Sequence, residues 1–244
     1  MEYTVKNVFD RMNNFWVEIA DAHYTQRQLN FLKRNLSPNK RVLDVACGTC
    51  RHTIPMSKAG FDMVGIDISM RLLRIAKQHG ASEIVRSDMR FLPFKTDAFF
   101  AVISMDTSFG YLPSIKEDKQ SLAEIHRVLV ADGEFVLDMF NYESIVLKYA
   151  DVTPLKQWEY HSFFLKQKRT ISKSRDRLYD IWVIKSKTDG KTTVFEHSVR
   201  LYQNKQLQQL VADEGFIIEA MYGNYENELY MPESLRFIIF SRKN

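Results

Sequence analysis

The sequence predicts a doubly wound α/β fold, a seven-stranded and mostly parallel sheet with an inserted antiparallel β subdomain. Three observations carry this. Short apolar strands alternate with helical segments between residues 41 and 140, the pattern of a parallel sheet covered on both faces. After about residue 142 the chain turns aromatic and β-branched, with a hairpin signal at Asp189-Gly190. Helical period then returns at 203–214, followed by two more strands.

The elements follow in order. Residues 7–36 read as helical, with Val8, Phe9, Met12, Phe15, Trp16 and Ile19 and then Leu29, Phe31, Leu32 and Leu36 at helical spacing. Ser37-Pro38-Asn39 ends the segment, because the residue before proline avoids the α region. Residues 41–46 are a strand, 51–59 a helix closed by Gly60, and 63–67 a second strand. Ser69 caps a helix over 70–79, and Gly80 suits its C-terminal stop. Strands at 81–87 and 99–105 come next. A helix with Leu122, Ile125 and Leu129 on one face runs to Asp132-Gly133, and a fifth strand spans 134–140.

Residues 156–202 contain no good helix. Asp189-Gly190 marks a tight turn between strands at 179–188 and 191–201, and Ser174-Arg175-Asp176 a looser one. Three or four antiparallel strands are expected there. The last strands are 216–222 and 234–241. The division is therefore a main domain of residues 1–141 and 202–244, with 142–201 inserted.

Composition narrows the function. At 244 residues the chain suits one large domain or a domain with an insertion. Apolar residues at 45% and charged residues at 26% argue against disorder. Apolar runs fall short of the roughly 18 residues a membrane span needs, and residues 1–6 lack the apolar core of a secretory signal. A cytoplasmic protein without a membrane partner is expected. The net charge of +4 has its densest stretch at Lys166-Gln167-Lys168-Arg169, followed by Lys173, Arg175 and Arg177. Those charges interleave with Ile171, Leu178 and Tyr179, as on the wet face of a strand, so nucleic acid is not the expected partner. Two cysteines exclude a disulfide framework. The histidines lack metal-ligand spacing, so no metal is expected.

Three carboxylates stand at strand ends: Asp44 before a loop of small residues, Asp67 ending the second strand, and Asp88 after the third. In an open parallel sheet, ligands bind beyond the C-terminal strand ends. A small-residue loop lets backbone approach a ligand, and an acid about 20 residues on can accept both hydroxyls of a ribose. An acid near the third strand can accept from an adenine amino group, and one in the first strand can face a cationic group.

The run Val42-Leu43-Asp44-Val45-Ala46-Cys47-Gly48-Thr49-Cys50 resembles the first motif of class I S-adenosylmethionine-dependent methyltransferases. Val64-Gly65-Ile66-Asp67-Ile68-Ser69 resembles the second and Ser87-Asp88-Met89 the third. Residues 102–111 resemble the segment after the fourth strand in a subset acting mainly on small molecules, and 124–134 and 201–216 resemble later family elements. The insert is similar in kind to the sheet of the sugar N-methyltransferases, which in some supports dimers. The resemblance implies the Rossmann-like methyltransferase fold, with S-adenosyl-L-methionine as cofactor and S-adenosyl-L-homocysteine as product. It puts Asp67 at the ribose, Asp88 with Met89 at the adenine, and Ala46, Gly48 and Met105 along the methionine part, with Asp44 near its amino group and Ile68 among the cofactor contacts. It also implies methyl transfer to N or O of a small molecule, with a homodimer through the inserted sheet as a further partner.

The family usually has glycine at positions 46 and 50, where this chain has Ala46 and Cys50. Ala46 fits if its φ is negative; Cys50 is awkward if its φ is positive. No general base stands out, and Asp106 and Tyr111 are the candidates near the transfer site. Asp106 is equally a solvated loop acid, and Tyr111 equally a packing aromatic. Arg51 opens a helix, where a cation opposes the dipole, which invites an anionic partner. His52 is expected to pack against neighbouring helices. Phe15, Trp16 and Tyr24 suggest a lid or simply core. Four other readings stay open: a redox site at Cys47-Gly48-Thr49-Cys50, a dinucleotide oxidoreductase, an RNA or protein methyltransferase docking on the insert, and a non-catalytic cofactor-binding protein.

Overall fold

Two helices open the chain, α1 (Val5–Asp21) and α2 (Thr25–Asn35). A computed structural model describes residues 5–21, 25–150 and 153–244; Tyr24 lies outside them. Strands and helices then alternate: β1 (Arg41–Val45), α3 (Thr53–Lys58), β2 (Asp62–Asp67), α4 (Met70–Gln78), β3 (Ile84–Arg86), β4 (Phe99–Ser104), α5 (Ile115–Val128) and β5 (Leu129–Phe140). The caps follow the sequence. The Ser69 side chain accepts from the Leu72 N–H at the start of α4, and Ser114 and Glu117 close a capping box on α5.

β10 (Phe216–Tyr222) and β11 (Arg236–Lys243) complete a seven-stranded sheet in the order β10-β11-β5-β4-β1-β2-β3. β1, β2, β3, β4 and β5 pair in parallel, while β11 runs antiparallel to both β5 and β10. Strand order reverses between β1 and β4, so the crevice for a ligand opens there. One face of the sheet buries Leu43, Val64 and Val102 against Leu122 and Ile125 of α5 and Leu207 and Val211 of α7 (Asn204–Asp213). The other buries Val42, Met63 and Ile103 against Phe31 and Leu32 of α2 and Met56 of α3.

Between the two halves lies α6 (Tyr142–Tyr149), then a four-stranded antiparallel sheet: β6 (Leu155–Glu159), β7 (Phe163–Ile171), β8 (Arg177–Ser186) and β9 (Thr192–Arg200). Gly190 takes φ +69° in the β8–β9 turn, the left-handed geometry expected of that hairpin. One face of this sheet packs on α1, where Val8, Met12 and Ile19 meet Phe163, Trp182 and Phe195. α1 also touches α4, so it bridges the insert and the main sheet.

Two elements depart from the sequence reading. α6 is a helix where none was expected. β5 begins at Leu129 rather than 134: Leu129 is extended (φ −76°, ψ 141°) and pairs with Phe99. Its apolar side chain continues the phase of α5, which hides the end of that helix.

Candidate functional site

β1 ends at Val45 and the chain enters a strained loop. Ala46, Gly48 and Cys50 take φ of 60°, 56° and 62°. Ala46 is therefore not on the negative φ that would suit it, and it and Cys50 each cost roughly 1 kcal/mol or more against glycine. Hydrogen bonds hold the loop: the Cys47 N–H donates to Ile66 O at 2.9 Å, and the Cys50 N–H to Cys47 O at 2.9 Å. Gly65, opposite Asp44 in the ladder, leaves the space the two thiols fill; a Cβ on it would lie 2.8 Å from Cys47 Sγ.

Asp67 ties this loop to α4. Its Oδ2 accepts from the Gly48 N–H at 2.9 Å and its Oδ1 from the Ser69 N–H at 2.7 Å. Burial pushes its pKa up to about 6, with Asp10 adding to the rise and the two N–H groups opposing it. Asp44, 1% exposed, accepts from Thr53 Oγ at 2.7 Å. Burial raises its pKa to about 7 against the pull of Thr53 and Arg51. Two buried acids with raised pKa values beside one loop mark it as a candidate site.

The chain after β4 is equally constrained. Met105 is buried, and Asp106 and Thr107 take φ of 57° and 63°. Asp138 of β5, wholly buried, holds both: its Oδ2 accepts from the Asp106 N–H at 2.8 Å and its backbone O from the Thr107 N–H at 2.8 Å. Arg236 Nε donates to Asp138 Oδ1 at 2.8 Å, and Arg236 Nη2 to Thr107 Oγ at 3.1 Å. Tyr225 OH donates to Asp138 Oδ2 at 2.8 Å and accepts from Gln28 at 2.9 Å. Arg51 donates to Asp106 Oδ2 at 2.9 Å, so its anionic partner comes from this chain. His52, buried and held well below its usual pKa by burial, pairs with Gln28 of α2 at 2.9 Å.

Asp44, Ala46, Gly48, Met105 and Asp106 line one cleft of about 50 Å³, closed by Trp16 of α1. A Cβ on Gly48 would sit 3.6 Å from Trp16 Nε1. Asp67 reaches the cleft through the Gly48 N–H. Ile68 and Met89 are half-buried and not among its lining, and Met89 packs against the main core. Asp88 meets Arg90 Nη2 at 2.6 Å. Burial opposes its ionisation, but the Arg90 contacts outweigh that and hold its pKa below the usual value.

A second cavity of about 330 Å³ opens beyond Trp16 and Asp106, which border both spaces. The insert sheet, α1, the loop after β4 and the link from β10 to β11 line it, and Tyr111, Phe140, Trp158, Tyr160, Trp182 and His197 contribute walls. Burial pushes the Tyr111 hydroxyl well above its usual pKa, so it stays protonated. Phe15 packs edge-on against Phe163, and Trp16 stacks on Trp182 at 6.1 Å.

Sequence reasoning missed Asp138, Asp180, His197 and Arg236. A carboxylate inside the otherwise apolar strand Phe135–Phe140 was the available signal for Asp138. The basic run at 166–169 is split by the pleat: Lys166 and Lys168 face out, while Gln167 and Arg169 turn in toward Asp180. The cysteines are buried free thiols 3.5 Å apart, and the contact with Cys50 together with burial pushes the Cys47 pKa well up, the opposite of a redox nucleophile. Among the described residues no cluster suits a metal, and no helix is long and apolar enough to cross a membrane.

Residues 42–133 match a family described as a methyltransferase domain. The chain is 26% identical over 220 residues to protein MJ1252 of Methanocaldococcus jannaschii, covering 90% of this chain and 78% of that one. It is 37% identical over 140 residues to a glycine/sarcosine N-methyltransferase of Aphanothece halophytica, covering 54% of this chain and 53% of the relative, so it spans about half of that enzyme's length. An S-adenosylmethionine-dependent methyltransferase of Clostridium acetobutylicum has the same fold, with a TM-score of 0.82 over 97% of this chain and 99% of that one, at 15% identity. With its acids and glycine loop at the strand ends, the chain carries a methyltransferase-domain match over residues 42–133 on the fold of the Clostridium acetobutylicum S-adenosylmethionine-dependent methyltransferase.

Proposed function

We propose that this protein transfers a methyl group to a nitrogen or oxygen of a small molecule held between the insert sheet, α1 and the loop after β4. The observation that carries this is the partly open cavity of about 330 Å³, bordered like the cofactor cleft by Trp16 and Asp106. Its volume is at the small end of the range for small-molecule sites.

The residues fit S-adenosylmethionine. Each Asp67 oxygen accepts one N–H, which leaves about half of the carboxylate's roughly four lone-pair sites for the ribose hydroxyls. Asp44 faces the amino group, Ala46, Gly48 and Met105 flank the methionine part, Asp88 and Met89 serve the adenine, and Ile68 adds a cofactor contact next to Asp67. The cofactor supplies an activated methyl group on sulfonium sulfur. The chain supplies alignment, worth roughly 7–11 kcal/mol, and Trp16 and the insert keep water out. Arg51 and Asp138 fix Asp106, and with it the rim where the two spaces meet.

The buried, unbonded thiols suit the reducing cytoplasm. The outer face of the insert sheet exposes Phe164, Tyr179 and Val194, which suits a homodimer. The activity test is incubation of the protein with methyl-labelled S-adenosylmethionine and a cell extract. Label should enter the low-molecular-weight fraction; label confined to RNA or protein would overturn the small-molecule reading.

A further inference from the structure

The inner face of the insert sheet carries aromatic and aliphatic side chains, Lys156 at its β6 edge, and one central polar patch. In the strand register Arg169 pairs with Asp180 and Asp180 with His197, forming one cross-strand row. Trp182 stands one pleat along on the same face. Asp180 Oδ2 accepts from Gln167 at 2.7 Å and from Arg169 at 2.6 Å. Its Oδ1 has no partner, nor have His197 Nδ1 and Trp182 Nε1, although all three atoms are buried. The side chains are 3% and 9% exposed for Asp180 and His197, and Trp182 is 6% exposed. All three residues line the cavity of about 330 Å³. Orphaned buried polar atoms are rare and costly, and three together around one cavity mark a place built for a ligand's polar end.

The chemistry of that end can be read from the three atoms. His197 Nε2 lies 4.0 Å from Asp180 Oδ2, beyond hydrogen-bond reach; the carboxylate field favours the tautomer with its proton on Nε2, in which Nδ1 offers a lone pair. Burial holds the ring neutral. Asp180 Oδ1 and His197 Nδ1 thus accept, and Trp182 Nε1–H donates. Two adjacent hydroxyls provide two donors and spare lone pairs for the indole. An anion would face the Asp180 carboxylate. A cation would face Arg169, which already balances that carboxylate. The aromatic walls suit the apolar faces of a ring.

We propose that Asp180, Trp182 and His197 form a recognition subsite for an uncharged, ring-sized substrate bearing two adjacent hydroxyls. It holds that end while the opposite end reaches the Trp16–Asp106 junction. This assignment rests on the small-molecule reading above.

The test titrates the full-length protein with cis-cyclohexane-1,2-diol, with and without S-adenosylhomocysteine. The same titration uses 1,2-dimethoxycyclohexane and 1,2-diaminocyclohexane in its charged form. The diol should bind saturably and at least tenfold more tightly than either comparator, as loss of buried hydrogen bonds implies. Asp180→Asn and His197→Phe should each bring the diol-to-dimethoxy ratio close to one while leaving S-adenosylhomocysteine affinity unchanged. His197→Phe keeps the ring contacts to Phe9, Tyr111 and Trp182, so it reports even if Asp180→Asn fails to fold. Equal binding of diol and dimethoxy compound, tighter binding of the diamine, or an unchanged ratio in His197→Phe would overturn the subsite. Failure of S-adenosylhomocysteine to bind would instead strike the methyl-transfer reading, and the cofactor-free diol titration would still judge the subsite.

Discussion

Replacing Asp67 by asparagine should change stability and binding in opposite senses as pH changes. The folded protein holds this acid at about 6 against an ordinary 3.8. Below 3.8 the group is protonated in folded and unfolded chains alike, and its contribution to stability is fully present. Between 3.8 and about 6 only the folded state keeps the proton. Stability therefore falls as pH rises through that window, by about 3 kcal/mol at about 1.36 kcal/mol per pH unit. Asparagine does not ionise, so the variant lacks this loss. Its amide can accept only on one side, so either the Gly48 or the Ser69 N–H loses its partner. That offset of about 1–3 kcal/mol is independent of pH. Urea unfolding of both proteins without cofactor, from pH 4 to pH 8, measures the difference. The wild type should lose about 2 kcal/mol relative to Asp67→Asn between pH 4 and pH 7, and slightly more because the Asp67 charge also raises the Asp44 pKa and is absent from the variant. Parallel curves would refute the claim that Asp67 is held buried and protonated. Calorimetry at pH 8 completes the test. The variant should bind S-adenosylhomocysteine at least tenfold more weakly, because hydrogen bonds to an ionised acceptor contribute about 1.5–3 kcal/mol each. Equal affinity would remove Asp67 from the ribose.

Three further outcomes are expected. Gly65→Ala places a Cβ 2.8 Å from Cys47 Sγ and 3.2 Å from Cys47 Cβ; overpacking should lower stability by about 1–3 kcal/mol in chemical denaturation, and an unchanged midpoint would contradict the packing of the loop. Arg236→Met leaves the wholly buried Asp138 without its cation, which should cost about 3–5 kcal/mol on the same assay; a cost under about 1 kcal/mol, the scale of an exposed ion pair, would show that Asp138 is not held by charge. Trp16→Ala uncovers Gly48 and should speed S-adenosylhomocysteine association at least tenfold in stopped flow, an unchanged rate counting against Trp16 as the cover of the cleft.

Much of the scaffold was legible because each element announces itself locally. Ser69, Gly60, Gly80 and Gly215 stand where α4, α3 and α7 start or stop, and Asp189-Gly190 names its own turn. Asp44, Gly48 and Asp67 were legible as a site because a strand, a loop and the next strand place them at fixed spacing. α6 was not, since eight residues rich in tyrosine, isoleucine and valine suit a strand as well as a helix. The positive φ of Ala46 was hidden because the residue type argues against it; the Cys47 and Asp67 hydrogen bonds that impose the loop come from the neighbouring strand. Asp138 and Arg236 are 98 residues apart, and Gln28 and Tyr225 are 197 apart. Such partners follow from the closed sheet, not from any local pattern. The Asp180–His197 row has the same origin, since only the β7–β8–β9 register sets these groups side by side.

The strain at Ala46, Cys50, Asp106 and Thr107 gathers on the loops after β1 and β4, the two strands where the sheet order reverses. Backbone strain of this kind persists where surrounding bonds over-determine it. Here Asp67 and Asp138, each buried, do so from β2 and β5. The same carboxylates whose burial raises their pKa each fix one of the two loops through backbone N–H groups.

The most direct measurement is calorimetric titration of the full chain with S-adenosylmethionine at pH 8. One site per chain, with affinity that declines as pH is lowered through about 6, where Asp67 takes up its proton, is the predicted result. Absence of binding, or binding untouched by Asp67→Asn, would contradict the account of the Asp44–Asp67 cleft.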